Sequence, residues 1–134
     1  MPSGDVLSSR LAPVWVLILA LLSFSLGLAE LPVQDRDEAR YAQASRQMAE
    51  TGDWVDIRFQ DAPRHVKPVG VYWMQAAVLE LTGRTGTSEV WVHRIPSYLA
   101  GALAALALIW AGTPLVGRRA AVLGGVMLAT VYML

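Results

Sequence analysis

Residues 95–112 read IPSYLAGALAALALIWAG, a run without one charged side chain. As a helix it would rise about 27 Å, close to the roughly 30 Å hydrocarbon core of a bilayer. Working outward, LAPVWVLILALLSFSLGLA from Leu11 to Ala29 would rise roughly 28 Å and has the same character. A third run starts at Ala120 and reaches Leu134, roughly 22 Å of helix with no polar flank or interfacial anchor at its far side. The chain is 134 residues long and 54% hydrophobic, but the bunching of its apolar residues matters more than their number. It points to lipid and to an all-α membrane protein, the front part of a longer one. The expected layout is a span at 11–29, an exterior loop at 30–94, a span at 95–112 and a truncated span at 120–134.

The first run has an alternative reading as a secretory signal peptide, because Gly27 to Ala29 offers small residues at cleavage-site spacing. Its length, the single acid and single arginine before it and the two apolar runs after it favour an anchor. Orientation follows from Arg10 before the first run and Arg118 and Arg119 between the second and third. By the positive-inside rule these mark the cytoplasmic side, with 30–94 exterior. That segment holds eight of the eleven basic residues, but also ten of the eleven acids, and is longer than the loops in which the rule is strongest. Trp15, Trp91 and Trp110 fall where interfacial anchors are expected. The net charge is zero with mixed signs, so nucleic acid is not an expected partner. The absence of cysteine removes disulfides, zinc-thiolate sites and thiol nucleophiles.

Within the exterior segment, Asp35 followed by Glu38 has the form of a capping box. Tyr41, Ala44 or Ser45, Met48 and Ala49 recur at helical spacing before Gly52, which predicts an amphipathic helix over about 36–51. The stretch GDWVDIRFQDAPRH has no sustained period and reads as a loop with a short strand between Trp54 and Phe59. KPVGVYWMQAAVLELTG then predicts a second helix over about 68–82, with Pro68 in its first turn and Gly83 as its stop. It is short for a span.

Asp37 and Glu38 have two readings. Acids in a first helical turn commonly do no more than stabilise the helix. Yet they sit a few residues beyond an expected span, where Arg40, Arg64 and Lys67 could gather on the same face. A carboxylate beside cations is the equipment needed to deprotonate a hydroxyl while a phosphate leaves. Small residues Ala100, Gly101, Ala104, Ala105, Gly124 and Gly125 suit close helix packing, and Trp73 and Met74 read as membrane-facing or core. Asp53, Asp56 and Asp61 do not have the spacing of a calcium loop. No Gly-rich phosphate loop, dinucleotide fingerprint or zinc motif occurs.

RDEARYAQASRQMAETGDW, KPVGVYWMQA and RIPSYLAGALAAL together resemble the opening of the polyprenyl-phosphate-sugar-dependent membrane glycosyltransferases. These are the protein O-mannosyltransferases and their bacterial relatives, including the aminoarabinose transferases that act on lipid A. The resemblance covers about residues 10–134. It implies a multi-span helical bundle of the GT-C type, with amphipathic helices in the first exterior loop and an integral, multi-pass place in a bacterial inner membrane or its equivalent. It implies Asp37 as general base with Glu38 as its companion, Arg40 and Tyr41 as the motif's next functional positions, and Lys67 as a phosphate ligand. Arg64 and His65 are further candidates for phosphate contact. The implied reaction moves a hexose, mannose or related sugar from a polyprenyl-phosphate donor to a hydroxyl of a protein or glycolipid acceptor. No metal site is assigned; the resemblance leaves a divalent cation open. Aminoarabinose-type members commonly carry a glutamate directly before Lys-Pro, where this chain has Val66 after His65. The competing class is a non-catalytic membrane scaffold or accessory subunit that binds a partner through its exterior loop. A transporter ranks behind both, since no ionisable residue interrupts the runs.

Overall fold

The computed structural model describes residues 6–131. Val6–Ser8 forms a short 3-10 turn, followed by α1 (Ala12–Ser25), α2 (Arg36–Thr51), β1 (Arg58–Phe59), β2 (Ala62–Pro63), α3 (Gly70–Leu81), α4 (Val90–Val116) and α5 (Arg118–Thr130). The chain divides into two compact units, one of residues up to Gly27 with Ser97 onward, the other of Leu28–Pro96.

The first unit is built from apolar and small residues. Ala12, Val16 and Ala20 of α1, Ala102, Ala105 and Ile109 of α4 and Val122 and Ala129 of α5 form its core. Glycine lets these helices approach closely: a Cβ on Gly125 would lie 2.7 Å from the Ile109 side chain, and one on Gly101 would lie 3.0 Å from the Phe24 ring. Gly124 lies similarly against Leu108, whereas Ala100 and Ala104 are exposed. Two polar bonds supplement the packing, from the Tyr98 hydroxyl to the Leu21 carbonyl at 3.0 Å and from Arg118 to the Ser9 carbonyl at 2.9 Å.

The helix limits differ from the sequence expectation. α1 stops at Ser25, because Leu26 turns extended and Gly27 takes φ +79. Its 14 residues rise only about 21 Å, so the expected 11–29 span is not one continuous helix. α4 is longer than the expected 95–112, absorbing both Pro96 and Pro114. Each proline lacks an N–H and leaves a carbonyl four residues earlier without its helical donor. α4 is the one helix among the described residues long and apolar enough to cross a membrane, by length and composition. The third run begins earlier than expected, with Arg118 and Arg119 inside α5, so the connection to α4 is Gly117 alone, at φ +83. α5 ends at Thr130, and positions 132–134 of the expected 120–134 span lie outside the described residues.

The second unit packs α2 against α3. Ala44, Met48, Ile57, Tyr72 and Ala76 form its core. α2 runs over 36–51, where the periodicity places it, and Gly52 closes it in the left-handed conformation, φ +71, with its N–H on the Met48 carbonyl at 2.9 Å. The expected Trp54–Phe59 strand is reduced to Arg58–Phe59, paired antiparallel with Ala62–Pro63. Gln60 at the tip has φ 57, an unusual conformation for a side-chain-bearing residue. The Gln47 amide clamps it from α2, donating to the Gln60 carbonyl at 2.9 Å and accepting from its N–H at 3.0 Å. α3 begins at Gly70, so Pro68 precedes the helix instead of opening its first turn.

Candidate active site

The polar residues of the second unit sort into an open cluster around Asp37 and a closed clasp around Glu38. Asp37 lies in the first turn of α2. One of its carboxylate oxygens is 3.5 Å from Arg40, a turn further along, and 3.7 Å from Arg64, which follows β2. Asp37 and Arg40 are both about two-fifths exposed, whereas the Arg64 side chain is only 11% exposed. Arg64 is fixed from beneath: its Nε donates to the Tyr72 hydroxyl at 3.1 Å, and its guanidinium lies 5.7 Å from the centre of the Tyr41 ring. Tyr41 and the fully buried Tyr72 are themselves 5.2 Å apart, ring to ring. A solvent-reachable carboxylate thus stands beside two guanidinium groups, one of them immobilised on an aromatic pair.

Glu38 points elsewhere. Its Oε1 accepts from Arg94 Nε at 2.6 Å, and its Oε2 accepts from a second Arg94 nitrogen at 3.1 Å and from the Gln34 N–H at 2.9 Å. The Arg94 hydrogen bond holds the Glu38 carboxyl below its ordinary value, against an opposing effect of burial. The capping box is therefore corrected in both halves. Asp35 occupies the N-cap with extended backbone but makes no side-chain cap bond, and Glu38 reaches back one residue further than that motif requires. Arg94 outcompetes the local arrangement with a charged, two-pronged contact.

Arg64 and Tyr41 join Asp37 and Arg40; Lys67 and His65 do not. His65 Nε2 lies 3.1 Å from Asp56, whose other oxygen accepts from Arg58 at 2.9 Å. Lys67 is exposed and has no ion-pair or hydrogen-bond partner among the described residues. Asp53 accepts from the N–H groups of Asp56 and Val55, which hold its carboxyl below the ordinary value. Among the described residues no group of three His, Asp or Glu side chains is placed to hold a metal ion. Two structural residues went unread in the sequence. Tyr72 was legible only as part of the Tyr-Trp pair after Lys-Pro. Gln75 bridges α2 and α4, accepting from the Ser45 hydroxyl at 2.7 Å and donating to the His93 carbonyl at 3.0 Å.

Comparison with known proteins bears on this region. The chain is 36% identical over 115 residues, 84% of its length, to the undecaprenyl phosphate-α-4-amino-4-deoxy-L-arabinose arabinosyl transferase of Aeromonas salmonicida. It is 34% identical over 125 residues to the transferase of the same name from Pectobacterium carotovorum, and 35% identical over 94 residues to that of Yersinia pestis. Over these stretches the chain is homologous to transferases of this name. It spans about a fifth of the length of the first two relatives, 20% and 21%. No family model and no solved structure matches it. All three of these relatives carry the aminoarabinose name and none a mannosyl one.

Proposed function

We propose that this chain forms the base-bearing part of a membrane glycosyltransferase that moves a sugar from a polyprenyl-phosphate donor to an acceptor hydroxyl at the exterior membrane face. The observation that carries the reading is the half-exposed Asp37 carboxylate between Arg40 and Arg64, in a chain whose relatives are named for this donor class. Asp37 accepts the acceptor's hydroxyl proton as that oxygen attacks the anomeric carbon. The bond from that carbon to the phosphate oxygen breaks, and polyprenyl phosphate leaves with the electron pair. Arg40 and Arg64 supply positive charge beside the base, and the exposed Lys67 ammonium is available to the phosphate. Glu38 orients the turn that carries Asp37. The relatives' names favour 4-amino-4-deoxy-arabinose as the sugar and a lipid-type acceptor over mannose and protein, although Val66 stands where aminoarabinose-type members commonly carry glutamate.

The test is transfer in membranes containing the protein that carries this chain, with polyprenyl-phosphate aminoarabinose and polyprenyl-phosphate mannose as alternative donors. Asp37→Asn should lower transfer about 10²- to 10⁴-fold, the range for removing a general base, at unchanged membrane expression. Lys67→Ala should chiefly weaken donor use. Loss of folding in both variants would favour the scaffold reading, and transfer from mannose alone would overturn the sugar assignment.

A further inference from the structure

Arg94 makes an unusually complete set of contacts. An arginine side chain has five N–H donors, and five hydrogen bonds leave this one. Nε reaches Glu38 Oε1 at 2.6 Å; one terminal nitrogen reaches the carbonyls of Leu28 at 3.0 Å and Leu31 at 2.9 Å; the other reaches the Pro32 carbonyl at 2.9 Å and Glu38 Oε2 at 3.1 Å. The side chain is only 15% exposed. Segment 28–35 has no helix or strand of its own, so these bonds, which take up the carbonyls of Leu28, Leu31 and Pro32, help fix its path into α2. The Gln34 N–H on Glu38 ties the same segment to the first turn of the helix.

We infer that Arg94 is a positioning residue: together with Glu38 it clasps segment 28–35 and thereby sets the place of Asp37, the neighbour of Glu38, in the proposed transfer. This rests on the reading of Asp37 as base. Two features separate the role from substrate contact. All five Arg94 donors are used within the protein, which leaves none for a phosphate. Both Glu38 oxygens are occupied, which leaves Asp37 as the carboxylate of the pair with access to an incoming hydroxyl. Lysine cannot replace the arginine, because a single ammonium has three donors and no planar fork.

The experiment compares wild type, Arg94→Lys, Glu38→Gln and the double variant in the full protein, reading transfer kinetics and backbone hydrogen exchange side by side. Arg94→Lys should speed exchange in peptides over residues 28–41 at least about tenfold while peptides over 70–81 keep their rate. It should also lower kcat about 10- to 100-fold, the cost of a misplaced reacting group, with donor KM within about threefold. The double variant should be little worse than either single one, as expected for groups acting as one unit. Equal acceleration in both peptides, unchanged exchange over 28–41, or a raised KM at constant kcat would overturn the clasp. If wild type transfers no polyprenyl-phosphate sugar, the function reading fails while the exchange comparison still decides the clasp.

Discussion

The two units of this chain are held together by opposite chemistry. In the apolar unit, up to Gly27 with Ser97 onward, alanines and glycines bring helices close enough for van der Waals contact. In the charged unit, 28–96, one guanidinium makes five hydrogen bonds, and a buried Ser45–Gln75–His93 chain crosses three helices. Dispersion tolerates small repacking, whereas a polar network with one member removed leaves others unsatisfied in a low dielectric. The difference places positional precision where chemistry is proposed and leaves the apolar unit to packing.

Breaking the charged unit should therefore cost most. Glu38→Ala leaves two of the five Arg94 donors without an acceptor and its largely buried charge without a counter-ion, and should destabilise by about 3 kcal/mol, measured by denaturant unfolding in detergent micelles. Gln75→Leu leaves the Ser45 hydroxyl and the His93 carbonyl without their partner and should cost about 2 kcal/mol by the same measurement. In the apolar unit, Gly125→Ala forces the Ile109 side chain aside and should cost about 1–2 kcal/mol. A cost above that of Glu38→Ala would invert the comparison. The smallest effect has the opposite sign: Gln60→Gly removes a left-handed conformation from a side-chain-bearing residue and should stabilise by about 1 kcal/mol or less.

Acid should separate the units further. The folded-state pKa of Glu38 is depressed from its ordinary 4.5. Its contribution is therefore present above that value and is lost as pH falls below it, through the folded pKa. The melting temperature should fall between pH 6 and pH 3, and in Glu38→Gln it should fall less. An equal fall in both proteins would remove Glu38 from the acid response.

What was legible in the sequence follows from whether the signal is local. α2 was readable to its limits because its period, its polar face and Gly52 all lie within one helix. The apolar helices end elsewhere than the apolar runs do, since hydropathy marks where lipid is favourable and not where Gly27 or Gly117 turns the backbone. Asp37, Arg40 and Tyr41 were named from one contiguous motif; Arg64 was named as a cation that could gather beside them, and the α2–α3 packing that puts Tyr72 under its guanidinium is what brings it there, while Lys67, named with it, stays apart. The Glu38–Arg94 pair spans 56 residues of sequence. No local rule connects those positions, so Glu38 read as a capping residue or as the companion of Asp37, and Arg94 only as the first residue of the RIPSY motif.

The central claim is that the clasp serves Asp37, and one measurement meets it directly: the transfer rate of Asp37→Asn in protein whose hydrogen exchange over 28–41 matches wild type. The account predicts a fall in kcat of about 10²- to 10⁴-fold with donor KM nearly unchanged. Transfer at the wild-type rate, with the clasp intact, would contradict it.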